Sequence, residues 1–154
     1  MMKKFLAIIL SALLMLSMTA CGGSESAKAA DLNALYDTLT ADLPQMLPMD
    51  ETTMLNFQGI EIADCIQARV AICAEGLRTD EIWLIEAKDE AALEKLKALA
   101  EARLQAKAEE TVSYNPEQYA VVEKAQVFTE GNYLFLLVSP DVDALKAAVE
   151  AALQ

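Results

Sequence analysis

Apolar residues recur along the chain with spacings that predict an order of helices and strands. After Asp31, a natural helix N-cap, leucines follow at intervals of three or four residues until Pro44, which predicts a first helix. Alternation of apolar and polar residues over 65–74 predicts a strand. The apolar run at 81–87 predicts a second strand, buried on both faces and paired with the first as an antiparallel hairpin.

The second half of the chain carries a similar succession of patterns. We predict a long helix capped by Asp89, a short helix capped by Asn115, a hairpin turning at Gly131 and a last helix capped by Asp141. The hairpin strand at 133–138 is apolar on both sides, which favours a place in the interior of the sheet.

These elements follow one another in the order α-ββα-α-ββα and predict an α+β fold. We expect a four-stranded, mainly antiparallel sheet with helices packed on one face. The two ββα units align at an offset of 52 residues, which places Trp83 on Phe135 and Asp89 on Asp141. The alignment indicates either an internal ββα pseudo-repeat or two similar solutions to one packing problem.

The first 21 residues have a different pattern, which is typical of an export signal. Lys3 and Lys4 precede an uncharged run, and small residues then lead to Cys21. This layout resembles the lipobox of bacterial lipoproteins, where a signal peptidase cuts just before a cysteine that carries diacylglycerol. We therefore expect residues 1–20 to be removed and Cys21 to hold the protein by its lipid on the extracytoplasmic face of the membrane.

Two alternatives to lipidation fit the N-terminal pattern less well. An uncleaved anchor would have to cross a hydrocarbon core of about 30 Å, whereas the 16 residues from Phe5 to Ala20 span only about 24 Å as a helix. Ordinary secretory cleavage is the other alternative. Beyond the signal, the small and polar residues 21–30 predict a flexible tether, and 31–154 predict a single domain.

Charge excludes several classes of partner. Loss of residues 1–20 would remove two of the 12 basic residues and none of the 24 acidic ones, so the formal net charge would change from −12 to −14. Nucleic-acid binding depends on phosphate contacts from Lys and Arg, so we expect no nucleic-acid partner. The domain should also stand off an anionic lipid surface, leaving the lipid on Cys21 as its contact with the membrane.

The two remaining cysteines, Cys65 and Cys73, are eight residues apart in the predicted first strand. An extended strand would separate them by about 26 Å at roughly 3.3 Å per residue. A disulfide needs Cα atoms within about 7 Å. We expect two free, largely buried thiols.

Candidate chemistry is sparse. The chain has no histidine and none of the common nucleophile, nucleotide or C-x-x-C motifs, so we predict no catalytic residue, no metal site and no cofactor. Glu81 and Glu86 are carboxylates on an otherwise apolar strand, which would suit an acid or base of raised pKa. An edge position, or a pairing with Arg69, explains them as well.

A binding surface is the more plausible kind of site. The segment 114–120, YNPEQYA, carries two aromatic residues, Tyr114 and Tyr119, which could be presented to a partner. The alternative interpretation is the start of a helix with packing tyrosines.

Four segments together are similar to one known family. They are DEIWLIEAKD at 80–89, the alanine-rich helix that follows with Arg103 and Gln105, YNPEQYA at 114–120 and EGNY at 130–133. In this order and spacing they resemble domain of unknown function 4358, found in small lipoproteins of Gram-positive gut bacteria. The resemblance covers roughly residues 33–140 and implies a lipoprotein with a single domain, without catalytic residues to carry over.

The sequence therefore favours a non-enzymatic, membrane-anchored lipoprotein that binds an envelope protein or a small ligand. Two alternatives remain open: a small carboxylate-dependent enzyme, and an accessory ligand-capture lipoprotein of a transporter. The usual two-lobed receptor of a transporter is larger than this chain.

Overall fold

A computed structural model describes residues 29–154 of the chain, which form five helices around one five-stranded sheet. The helices are α1 (Leu32–Thr40), α2 (Glu51–Thr53), α3 (Glu90–Thr111), α4 (Pro116–Lys124) and α5 (Val142–Ala152). The strands are β1 (Met46–Pro48), β2 (Cys65–Cys73), β3 (Glu81–Ala87), β4 (Gln126–Glu130) and β5 (Tyr133–Val138). A π turn, Met54–Gln58, continues α2, and a 3₁₀ turn, Ile62–Asp64, precedes β2.

The sheet has the order β1-β2-β3-β5-β4, and every neighbouring pair is antiparallel. Both predicted hairpins are confirmed, and β5 lies inside the sheet as expected. The prediction of four strands was wrong, because Met46 pairs with Cys73 and Pro48 with Ala71 to add a short edge strand. β1 is only three residues long and ends with a proline, so it is too short to show an alternation of apolar and polar residues. An edge strand is where a sheet tolerates proline.

Helices pack on both faces of the sheet, so the prediction of helices on one face was also wrong. Every residue of β3 and β5 is buried. Strands that are apolar on both sides must be covered on both sides. Accordingly, α3 and α4 cover one face, and α1 and α5 cover the other.

Each face has its own core. Trp83 and Leu96 are completely buried in the core beneath α3. Phe135 is completely buried in the opposite core, where Leu145 of α5 packs. The pseudo-repeat aligned Trp83 with Phe135 and α3 with α5, yet these counterparts lie on opposite faces. The structure therefore favours two separate solutions to the packing problem over a duplicated ββα unit.

Side-chain caps begin three of the predicted helices. The Asp31 carboxylate accepts from Asn33 N at 2.9 Å, the Asp89 carboxylate from Ala92 N at 2.8 Å, and the Asn115 side chain from Gln118 N at 3.3 Å. Asp141 occupies the N-cap position of α5 as predicted, but its side chain makes no such bond. Its own N–H instead donates to Ser139 Oγ at 3.2 Å.

The cysteines at the two ends of β2 are unpaired, as expected. Cys73 is buried, whereas Cys65 is half-buried. Burial, with the nearby Asp64 carboxylate, raises the pKa of the Cys65 thiol to about 11. None of the helices within 29–154 is long and apolar enough to span a membrane.

The polypeptide enters the domain at Ala30, which is already buried. Its N–H donates to Tyr133 Oη at 2.9 Å, and its carbonyl accepts from Gln67 Nε2 at 3.2 Å. This entry point is the end of the sheet at which β3 finishes and β5 begins. The predicted signal, Cys21 and most of the tether lie outside the described residues and stay predictions.

Candidate functional site

The first residue of β3, Glu81, is a completely buried carboxylate held by three donors. Arg103 forms a two-pronged ion pair with it, with Nε 3.2 Å from Oε1 and Nη2 2.9 Å from Oε2. Lys107 Nζ lies 2.9 Å from Oε2, and Trp83 Nε1 donates to Oε1 at 2.7 Å.

The sequence of α3 brings both cations to this carboxylate. Leu96 and Ala100 face the sheet, and the same spacing of three or four residues continues to Arg103, Lys107 and Thr111. The helix therefore turns from apolar to cationic along a single stripe. Because β3 alternates, Glu81 shares the α3-facing side of the sheet with Trp83, at the level where the cations begin.

Residues of α3 and of the start of α4 also secure the loop between β2 and β3. Lys107 Nζ donates to Thr79 O at 2.8 Å, reaching across from α3. Gln118 Oε1, on α4, accepts from Thr79 N at 2.8 Å and from Thr79 Oγ1 at 3.0 Å. Asn115 Nδ2 donates to Leu77 O at 3.3 Å. The start of α4 thus serves as a clamp on the loop.

A second ion pair lies within the loop itself. Arg78 Nε is 3.0 Å from Asp80 Oδ2, and Arg78 Nη2 is 3.2 Å from Asp80 Oδ1. The Asp80 side chain is 1% exposed, whereas that of Arg78 is 33% exposed. The hydrogen bond to Asp80 raises the pKa of the Arg78 guanidinium.

These groups surround an open pocket of about 320 Å³ between the loop and the junction of α3 with α4. We call it the polar pocket, and its walls come from the end of β2, the loop, α3 and the residues before α4: Ile72, Cys73, Glu75, Gly76, Leu77, Arg78, Thr79, Asp80, Arg103, Lys107, Glu110, Thr111, Tyr114 and Asn115. The Asp80 and Glu81 carboxylates are buried, while the side chains of Arg78 and Arg103 are partly exposed. The part of the network that meets solvent is therefore cationic.

An apolar recess of about 220 Å³ adjoins the polar pocket, since Ile72 and Arg103 line both. Its other walls are Met49, Thr53, Phe57 and Gln58. Phe57 is 76% exposed at its rim, whereas Gln58 is buried at the end of the π turn. Gln58 Oε1 has no hydrogen-bond partner among residues 29–154.

The chain matches the family described as Domain of unknown function (DUF4358) over residues 39–139. This range includes the four segments that carry the resemblance and both ion pairs of the polar pocket. The chain belongs to this family. No curated protein and no solved structure shows a significant match.

The DUF4358 match carries no assigned activity, and it adds no indication of an enzyme. The described residues contain no group of three or more acidic or cysteine side chains that could hold a metal ion. Asp80 and Glu81 each have a cation of their own, which is the arrangement of a structural ion pair. The wall of the pocket therefore presents cations that buried carboxylates hold in fixed positions.

The structure separates the two tyrosines predicted as a binding surface. Tyr114 is 75% exposed and lines the polar pocket. Tyr119, on α4, does not line it, and the negative charge of Glu123 raises the pKa of its phenol. The remaining predicted site residue, Cys21, lies outside the described part of the chain.

The predicted explanations of the two strand carboxylates were wrong. β3 is the central strand of the sheet, so neither lies at an edge. Arg69 pairs with neither of them and donates instead to the carbonyl of Ala68 at 3.3 Å. Glu86 accepts from Gln67 Nε2 at 2.7 Å and from Asn132 Nδ2 at 3.2 Å.

Sequence reasoning missed Arg78, Arg103, Lys107 and Gln58 as members of the site. One signal was present, because Lys107 continues the buried stripe of α3 at a position where an apolar residue is expected. Gln58 gave no signal, since it lies in a π turn that no periodic pattern indicates.

Proposed function

We propose that this DUF4358 protein is a lipid-anchored binding module of the cell envelope, and that its ligand or partner is held at the polar pocket. Its anchor is the lipid on Cys21, and its working place is the extracytoplasmic face of the membrane. The lipobox-like pattern that ends at Cys21 supports the anchor.

One observation carries the assignment of the pocket. Three of the four segments that carry the resemblance, namely 80–89, the helix α3 and 114–120, are separate in the sequence and meet around this cavity. Arg103 contacts Glu81 across 22 residues, and Gln118 contacts Thr79 across 39. Buried ion pairs are weak contributors to stability compared with apolar packing. Such a costly arrangement at the wall of an open pocket is better explained by a binding role than by stability.

The orientation of the domain is consistent with this role. The chain enters at Ala30, at the end of the sheet where β3 finishes, whereas the polar pocket lies where β3 begins. The seven residues of β3 separate these ends by about 20 Å at roughly 3.3 Å per residue. A tether to the membrane would therefore leave the pocket facing away from the bilayer.

Site-specific photo-cross-linking in living cells tests the proposal. A photoreactive phenylalanine replaces Tyr114, whose exposed side chain lines the pocket. The matched control carries the same group in place of Glu94, an exposed residue near the other end of α3. Irradiation is followed by mass spectrometry of the protein.

We expect a defined adduct at position 114 and none at position 94. Equal labelling at both positions, or none at 114, would contradict a binding site at the polar pocket. The mass of the adduct distinguishes a protein partner from a small ligand.

A further inference from the structure

We propose that Arg103 joins the polar pocket and the apolar recess into one site for the carboxylate end of an apolar α-amino acid. The amino acid is either free or the last residue of a peptide. Its carboxylate faces the cations, its side chain enters the apolar recess, and its N–H donates to Gln58 Oε1. This inference rests on the proposed function and specifies the ligand of the same site.

The cations retain donors that the protein itself does not use. Arg103 donates to Glu81 through Nε and Nη2, and Arg78 donates to Asp80 through Nε and Nη2. Neither Nη1 of Arg103 nor Nη1 of Arg78 donates a hydrogen bond to any acceptor among residues 29–154. Guanidinium groups whose orientation is fixed by a buried carboxylate are suited to bind a second carboxylate.

The ion-pair network at the pocket contains more cations than carboxylates, which favours an anionic ligand. Three cations, Arg78, Arg103 and Lys107, line the pocket against two buried carboxylates, Asp80 and Glu81. Two more acids, Glu75 and Glu110, also line the pocket. Both are exposed, so water and salt screen their charge more than that of the buried network.

The apolar recess provides a place for one side chain. Its volume of about 220 Å³ lies below the roughly 300 Å³ at which pockets for drug-sized ligands begin. Met49, Phe57 and Ile72 give it apolar walls. An aliphatic side chain of the size of leucine would replace water there and cover the exposed ring of Phe57.

Gln58 supplies the third contact. Its side chain is 8% exposed, and its Oε1 lacks a donor among the described residues. Its Nε2 has only a 4.0 Å contact with Met49 Sδ. Buried acceptors are nearly always paired in native proteins, so an unpaired one at a cavity wall indicates a missing donor. The π turn that carries it is a local structure frequent at functional sites.

An α-amino acid carries these three complementary groups on a single carbon atom. A carboxylate, an N–H and an apolar side chain all branch from Cα. The site presents cations, an acceptor and an apolar recess around Arg103, which lines both cavities together with Ile72. A fatty acid would leave Gln58 unpaired, and an inorganic anion would leave the recess empty.

Isothermal titration of the full chain, as cells express and process it, tests the assignment with four probes. They are leucine, N-acetyl-leucine, N-acetyl-leucinamide and N-acetyl-glutamate. We expect saturable binding of leucine or N-acetyl-leucine with a Kd on the order of 1 mM or lower. N-acetyl-leucinamide should bind about tenfold or more weakly, because its neutral amide cannot pair with the cations. N-acetyl-glutamate should also bind about tenfold or more weakly, because its acidic side chain does not suit the apolar recess. Tighter binding of leucine identifies a free amino acid, and tighter binding of N-acetyl-leucine identifies a peptide end.

Two variants test the contacts without touching the ion pairs. Gln58→Leu removes the acceptor and Phe57→Ala removes the rim of the recess, and each should weaken binding of the preferred probe about tenfold. Leu55→Ala is the matched control, since Leu55 is half-exposed on the same π turn and does not line the recess. Its affinity should equal that of the parent protein.

Equal affinity for the carboxylate and its amide would overturn the assignment, as would an unchanged affinity of Gln58→Leu. Absence of binding by all four probes would also overturn it. If cross-linking at position 114 succeeds in that case, the pocket binds a ligand of another class and the proposed function stands. If cross-linking fails as well, both the ligand class and the proposed function are wrong.

Discussion

Glu81 illustrates how one residue serves both the fold and the candidate site. A carboxylate at the start of a central strand is costly to bury unless it is paired with cations and hydrogen-bonded. Arg103, Lys107 and Trp83 meet that requirement. In return, Glu81 fixes the guanidinium of Arg103 at the wall shared by the polar pocket and the apolar recess. The guanidinium of Arg103 is therefore held in position before any ligand binds.

Loss of the charge on Glu81 should destabilise the domain strongly. Glu81→Gln keeps the shape of the side chain but leaves Arg103 and Lys107 without their counter-charge. Breaking a buried pair in this way typically costs about 3–5 kcal/mol of the free energy of unfolding. Urea denaturation of the variant and its parent measures the loss. Glu101→Gln, at an exposed position of the same helix, is the control and should change stability by less than about 0.5 kcal/mol. A Glu81 variant as stable as this control would mean that the cations do not depend on the carboxylate.

The sequence identified Glu81 as unusual but not its partners. A carboxylate within an apolar strand stands out in any pattern. Arg103 and Lys107, however, are also ordinary residues for a solvated helix face, and the partners lie more than 20 residues away. Only the packing of α3 on the sheet decides which of its charged residues point inward.

At the scale of elements, periodic patterns were sufficient to find α1, α3, α4, α5 and the four long strands. The arrangement of helices on the two faces of the sheet was harder to predict. The pattern of apolar residues in a strand shows that a face is buried, but it does not show which helix covers that face. β1 and the π turn had no periodic signal. Asp50 caps α2, since its Oδ1 accepts from Thr53 N at 2.7 Å.

Gly59 ends the π turn and should be sensitive to substitution. Its φ of +71° lies in the left-handed region, and an added Cβ would lie 3.3 Å from Leu99 Cδ2 of α3. Gly59→Ala should therefore lower stability by about 1–2 kcal/mol from backbone strain, with a further loss from crowding. Thermal unfolding followed by circular dichroism measures the change in Tm.

Gly76→Ala is the matched control for this change. Gly76 lies in the β2–β3 loop, does not have a positive φ, and has open space where a Cβ would be added. Its Tm should stay the same or rise slightly, because alanine restricts the unfolded chain. A Gly59 variant with the Tm of the Gly76 variant would show that the π turn relaxes without cost.

At the scale of the whole molecule, anchor, charge and pocket agree on one orientation. The chain enters at Ala30, opposite the polar pocket, and the formal net charge of −12 repels an anionic lipid surface. A short predicted tether would hold the domain within roughly 15–20 Å of the bilayer. The cations that line its polar pocket would then face away from the bilayer.

Replacement of Cys21 should remove the lipid and with it this orientation. Only a thiol can form the thioether to diacylglycerol, so Cys21→Ala should incorporate no radioactive palmitate in growing cells. Its intact mass should also lack the form that begins at residue 21 and carries lipid. Two acyl chains hold a protein firmly, whereas one holds it reversibly, so the loss should be evident in fractionation as well. Cys65→Ala is the control, because that thiol is free and half-buried within β2, and its labelling should match the parent. Undiminished palmitate in the Cys21 variant would show that the protein is not lipidated at Cys21, and the orientation argued from the tether would then lose its basis.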